Sequence, residues 1–186
     1  MDIIQYLNKI HQLPQEADEL LNSLFKPIQL SKGTKIMCSE KKYHKFMFVE
    51  KGLIRLYYEK EEKDITFLFL DENSCSAPID CIFYNLPNQY NWHVLEDTTV
   101  RLIDFYDFEN LLINLPILER TLRMILIDIV KMISDKLFAL QFQSAEQRYN
   151  FMLECYPNIL LRAPLGHIAS YLGITQQTLS VIRAKI

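Results

Sequence analysis

Residues 162–186 contain no Asp or Glu, yet they carry Arg162, Arg183 and Lys185. Within this stretch Gln176, Gln177, Thr178, Ser180, Val181, Arg183 and Lys185 fall on the outer face of a predicted short helix. A glutamine amide donates and accepts at once, which matches the N6 and N7 edge of adenine in a major groove. The side chains of Arg and Lys neutralise phosphates, and hydroxyls hydrogen-bond to them. Gln176 and Gln177 lie at the amino end of the helix and are expected to read bases, with Val181 either against a thymine methyl or simply packed within the chain. Thr178, Ser180, Arg183 and Lys185 are expected at phosphates.

These side chains need a scaffold. A helix-turn-helix requires two short helices at a steep angle, with a small residue where they approach. Ala169 is placed for that approach, and Gly173, four residues later, supplies a turn position open to positive φ. Ile168, Leu172 and Ile174 would lock the first helix and turn, and Leu179 and Ile182 the second. Thr175 is a natural N-cap for the second helix. The competing interpretation is a helical hairpin packed only for stability, but such a surface helix normally mixes both charge signs.

Upstream, Ser144-Ala-Glu-Gln147 has the form of a capping box that opens a helix ending before Pro157. Residues 107–142 read as helical, with Pro116 suited to the first turn of a long helix. Two apolar stripes run along that helix. One contains Leu118, Leu122, Ile125, Ile129 and Met132, and the other Leu126, Val130, Ile133, Leu137 and Leu140. One stripe suffices to pack on the rest of the chain, so the second calls for a parallel, coiled-coil-like dimer contact. The Leu118-to-Met132 stripe is named for the dimer contact, although periodicity alone does not choose between the two stripes.

Residues 28–106 hold short β-rich runs closed by turn residues, including 46–49, 53–58, 65–70, 92–95 and 99–105. Many short strands at this spacing predict a β-sandwich or barrel. Ahead of them, Ile3, Ile4, Leu7 and Ile10, then Ala17, Leu20, Leu21 and Leu24, recur at helical spacing, separated by Pro14 and ended by Pro27.

The 186 residues are 49 % apolar and 23 % charged, an ordinary globular composition. The net charge of -3 conceals the acid-free tail. No apolar run approaches the roughly 18 residues of a membrane span, and the start lacks a signal-peptide pattern, so a cytoplasmic protein is expected. Cys38, Cys75, Cys81 and Cys155 are scattered without CxxC spacing, and are expected to be buried or half-buried thiols, with a redox Cys75/Cys81 pair as the lesser reading. His11, His44, His93 and His167 form no HxH pattern. No metal or cofactor is therefore expected, and a cupin-like catalyst is disfavoured. Trp92, Tyr84 and Tyr90 are expected as core and loop aromatics rather than the lining of a pocket.

In this order of elements, with the run Phe48-Val-Glu-Lys-Gly-Leu-Ile-Arg-Leu-Tyr57 in the β region and Ala145-Glu-Gln-Arg148 ahead of the terminal motif, the chain resembles the Crp/Fnr family of bacterial transcription regulators. It is most similar to short members of the kind common in Bacteroidetes. The resemblance implies an α+β fold. Residues 1–115 would form a cyclic-nucleotide-binding-like β-roll, 116–142 a long dimerisation helix and 143–186 a helix-turn-helix domain. It also implies a homodimer on an inverted-repeat operator in double-stranded DNA, with room for an unidentified small-molecule effector. Two departures qualify this. The family's phosphate motif corresponds to residues 73–100, which contain no Gly and no Arg, while Pro78 and Pro87 remove backbone donors. A buried phosphate without a cation is costly, so response to cyclic AMP is not expected. Val181 stands where many members carry an Arg, which points to a more A·T-rich half-site. No wing hairpin is expected after the second helix. The alternative function is a cyclic-nucleotide-binding-like signalling or interaction module that has lost specific DNA binding.

Overall fold

A computed structural model describes residues 1–37, 44–61 and 63–184. Cys38 and Lys185 lie outside the described residues. The chain opens with α1 (Ile3–Ile10) and α2 (Gln15–Leu24). Asp2 caps α1 in a reciprocal capping box with Gln5. Strands β1 (Lys26–Leu30), β2 (Lys35–Ile36), β3 (Lys45–Lys51), β4 (Ile54–Lys60) and β5 (Lys63–Leu70) follow. After them come β6 (Cys75–Ser76), α3 (Ile79–Phe83), β7 (Tyr90–Val94) and β8 (Thr98–Asp104).

The strands form two antiparallel four-stranded sheets, in the orders β1-β8-β3-β6 and β2-β7-β4-β5. Pro27 sits inside β1 rather than ending a helix beyond it. Because β1 is an edge strand, bonded only to β8, its missing N–H costs no ladder bond on the open side. Between the sheets lies an apolar core that includes Met47, Val49, Ile54, Leu56, Leu68 and Trp92. Strand alternation sends the intervening residues outward. Phe48 and Ile103 leave the first sheet towards α1, α2, α4 (Phe105–Asn114) and α5 (Pro116–Phe142), where they join Leu21, Phe25 and Phe108.

The second sheet is also covered on its outer face. Phe69 and Leu53 share a core with Tyr149, Met152 and Tyr156 of α6 (Ala145–Cys155). Ile159 of α7 (Ile159–Arg162), Ile168 and Leu172 of α8 (Leu165–Leu172), and Leu179 of α9 (Gln176–Arg183) complete that core. The order is therefore helices, sheet, core, sheet, helices. The terminal helices are packed on the roll rather than tethered beyond it.

The stripe Leu118, Leu122, Ile125, Ile129 and Met132, expected at a dimer contact, is turned into its own chain. Leu118 and Ile125 are buried, and Leu122 and Ile129 pack beside them against the first sheet's helices, with Met132 against the roll core. The opposite stripe is left uncovered, with Leu126, Val130, Ile133, Leu137 and Leu140 all exposed. The assignment reverses because α1, α2 and α4 already supply an apolar surface for the first stripe. Among the cysteines, Cys75 and Cys81 are partly covered, whereas Cys155, expected to be at least half-buried, is exposed at the end of α6. Trp92 is a core residue, Tyr84 is exposed, and Tyr90 packs edge-on against Tyr58.

Candidate nucleic-acid interface

The terminal motif is built as its sequence requires. Gly173 ends α8 at φ 67°, ψ 35°, the left-handed conformation that a side chain disfavours. Its N–H and that of Ile174 bond back to Ser170 and Ala169, at 3.1 and 3.0 Å, which satisfies the last carbonyls of the helix. Thr175 then caps α9, its Oγ1 accepting from the N–H of Thr178 at 3.1 Å. Ile168, Ala169, Leu172, Leu179 and Ile182 are buried together, so α9 is held by one face only. Ahead of the motif, Ser144 and Gln147 form the expected capping box at the start of α6. Arg148 donates to the carbonyls of Gln143 and Leu172, tying the end of α5 to the end of α8.

The outer face of α9 carries Gln176, Gln177, Thr178, Ser180, Val181 and Arg183, all exposed. Val181 is 53 % exposed, which rules out a packing role within this chain. Gln176 is less free than Gln177. Its amide lies across Gly166 at the start of α8, where an added Cβ would stand 2.8 Å from Nε2. The Thr178 hydroxyl is shared with the cap, 2.9 Å from the Thr175 hydroxyl. Gln177, Ser180, Val181 and Arg183 are thus the most outward-facing members of the set.

Arg162 is not part of this face. It donates to Glu72 at 2.9 and 3.0 Å and to Glu96 at 2.6 and 3.2 Å, both carboxylates belonging to turns of the roll. The Glu96 hydrogen bond, opposed by burial, drives the guanidinium pKa well above its ordinary value. The same Glu72 accepts from the N–H of Gly52 at 2.9 Å. Gly52, at φ 110°, lies so close to Thr98 that a Cβ would meet its backbone at 2.7 Å. Of the three cations counted in the terminal segment, Arg162 is therefore spent on docking.

A second polar cluster joins α8 to the roll. Arg55 is fully buried and forms a two-pronged ion pair with Asp64, at 2.6 and 2.9 Å. It also donates to Thr66 and to Nδ1 of His93. The hydrogen bonds from Arg55 hold the Asp64 carboxyl below its usual range. Ser170 of α8 accepts the N–H of Thr66 at 2.9 Å. His167 of α8 stands edge-on to His93 with ring centroids 5.7 Å apart. Burial first, then the Arg55 charge, lowers His167 to about 4. His93 and His167, which look isolated in sequence, are neighbours here because β7 and α8 face each other.

No protein-family model matches the chain, and no curated protein sequence matches it. Solved structures do. A CooA mutant from Carboxydothermus hydrogenoformans aligns with a TM-score of 0.70 and 21% identity, covering 100% of this chain and 84% of that one. FixK2 from Bradyrhizobium japonicum aligns at 0.72 and 18% identity, covering 87% of this chain and 84% of that one. The Thermus thermophilus Catabolite Activator Protein aligns at 0.57 and 18% identity, covering 95% and 84%. From the first helix to the terminal helix-turn-helix, the chain has the Crp/Fnr-like fold.

Proposed function

We propose that this protein is a sequence-specific, DNA-binding transcription regulator that acts as a homodimer on an inverted-repeat site. The observation that carries this reading is the outer face of α9, which is polar, exposed and free of carboxylates on a complete helix-turn-helix scaffold. Gln176, Gln177 and Val181 are assigned to base edges. Thr178, Ser180, Arg183 and Lys185 are assigned to phosphates. The names of the similar structures agree with a regulator rather than a catalyst, since they include a catabolite activator and a global regulator linked to virulence gene expression.

The dimer seam is assigned to Leu126, Val130, Ile133, Leu137 and Leu140. An apolar stripe of that length along a 27-residue helix is costly to leave in water, and a second copy covers it with itself. Among the described residues no helix is long and apolar enough to cross a membrane, and a cytoplasmic site of action fits a DNA ligand.

Unresponsiveness to cyclic AMP is supported by the roll itself. Its interior is filled by side chains such as Met47, Leu56, Leu68 and Trp92. The buried Arg55 points out of that interior towards the terminal helices, and Arg101 is tied to Glu50 at 3.1 Å. Neither is free to neutralise a phosphate there.

A mobility-shift titration over several salt concentrations tests the DNA reading. Saturable binding whose affinity falls steeply with salt is expected. Absence of binding at low salt would leave the interaction-module alternative.

A further inference from the structure

Roll, long helix and terminal domain meet around a cavity of about 380 Å³ that opens to solvent. Its aromatic walls are Phe151 and Tyr156 of α6 and Tyr171 of α8. Tyr156 is fixed by donating its hydroxyl to the Phe69 carbonyl at 3.1 Å, and Tyr171 packs edge-on against it. Asp71, in the turn after β5, and Asp128 and Asp135, on α5, place carboxylates around the same space.

The charges there are unbalanced. Asp135 is paired with Lys131 at 2.5 Å. Asp71 and Asp128 have no ion pair among the described residues, and Asp71 accepts from the Ser74 hydroxyl at 3.1 Å. Burial raises the Asp71 carboxyl above its ordinary range, the state a nearby cation would relieve.

The aromatic wall already holds a cation of the chain's own. The Lys136 ammonium stands 3.8 Å from the centre of the Tyr171 ring and 5.3 Å from that of Phe67, and it donates to the Phe67 carbonyl. The ring face thus takes an amine at cation–π distance, and burial there lowers the Lys136 pKa to about 7, so the charge is held at a cost that a nearby carboxylate would offset. Lys136 enters from α5 as one of the residues that line the cavity, and the remaining space is open to another molecule.

We propose that this junction cavity is a binding site for a small organic cation, an ammonium or guanidinium on an apolar body. Its charge lies against Asp71 and Asp128 and its body against Phe151 and Tyr171. Because the walls come from three parts of the fold, such a ligand bears on how the terminal domain sits against the roll.

Calorimetric titration of the full chain with benzyltrimethylammonium tests this, with benzyl alcohol and phenylacetate as the neutral and anionic counterparts. The cation is expected to bind saturably, on the order of tenfold more tightly than either counterpart. Asp128 is exposed, so D128N leaves the fold intact by circular dichroism and is expected to weaken the cation several-fold. K136M removes a competing, partly protonated amine and frees the Tyr171 face, so it should strengthen cation binding. Equal or tighter binding of phenylacetate, loss of cation binding in K136M, or no saturable heat with the cation overturns the proposal. DNA takes no part in these titrations, so their outcome is separate from that of the mobility shift.

Discussion

The guanidinium of Arg162, at the end of α7, donates to both carboxylate oxygens of Glu72, in the turn after β5, at 2.9 and 3.0 Å. Through this pair the terminal domain is fastened to the roll at a turn that Gly52 also holds by its N–H. Glu72 is 36% exposed, so solvent screening reduces what the contact contributes. R162A should therefore destabilise the chain by about 1–2 kcal/mol in urea unfolding. R162K should restore only part of this, because an ammonium cannot make the two-pronged contact. Unchanged unfolding of R162A would show that Arg162 does not fasten the domains.

Acid should loosen the same junction through His167. Its folded pKa is lowered to about 4 from 6.5, so the unfolded chain binds the proton more readily. Stability therefore rises with pH through that interval, and is lost as pH falls from about 6.5 towards 4. Thermal unfolding at half-unit pH steps is expected to show this decline, and H167Q, which cannot take up the proton, should flatten it. A decline of equal size in H167Q would assign the acid sensitivity to other groups.

The two stripes of α5 make opposite predictions. V130E and L137E place charge on the uncovered stripe and should convert a dimer to a monomer in sedimentation, with folding retained. I125A empties a buried position and should cost about 2–5 kcal/mol of stability, with no comparable effect on association beyond that of unfolding. A dimer that survives both V130E and L137E would place the seam elsewhere.

On α9, R183A removes the side chain proposed to contact a phosphate. Binding should weaken on every duplex alike, and the slope of affinity against salt should fall by about one. Q177A should instead flatten the preference among base sequences, since Gln177 is outward-facing while Gln176 rests on Gly166. If R183A binds as tightly as the parent at every salt concentration, Arg183 is not at a phosphate.

The helix-turn-helix was legible because its requirements are local. Ala169, Gly173 and Thr175 announce an approach, a left-handed turn and a cap within seven positions, and Ser144 with Gln147 announces the helix before them. The strands were legible from their turn residues, save the two-residue β6 and the short α3 and α7, which carry too few residues for a period. What escaped is non-local. Which stripe of α5 faces inward depends on α1, α2 and α4, and periodicity finds both stripes without ranking them. The docking of the terminal domain had a signal in β4 and β5, where Ile54-Arg-Leu-Tyr57 and Leu68-Phe-Leu70 are buried on both faces instead of alternating. Read that way, Arg55 is a buried cation in need of partners, and Asp64 nine positions later is within reach across the hairpin. Arg162, by contrast, looks like a phosphate contact until Glu72 and Glu96 are brought beside it.

Selection of bound duplexes from a random pool by the full chain is the sharpest test of the proposal that two copies of α9 read DNA together. A two-fold symmetric consensus is expected to be enriched, its half-sites about one helical turn apart and rich in A·T pairs where Gln177 and Val181 are proposed to meet the groove. Failure to enrich any sequence, or enrichment of a single asymmetric site, would contradict it.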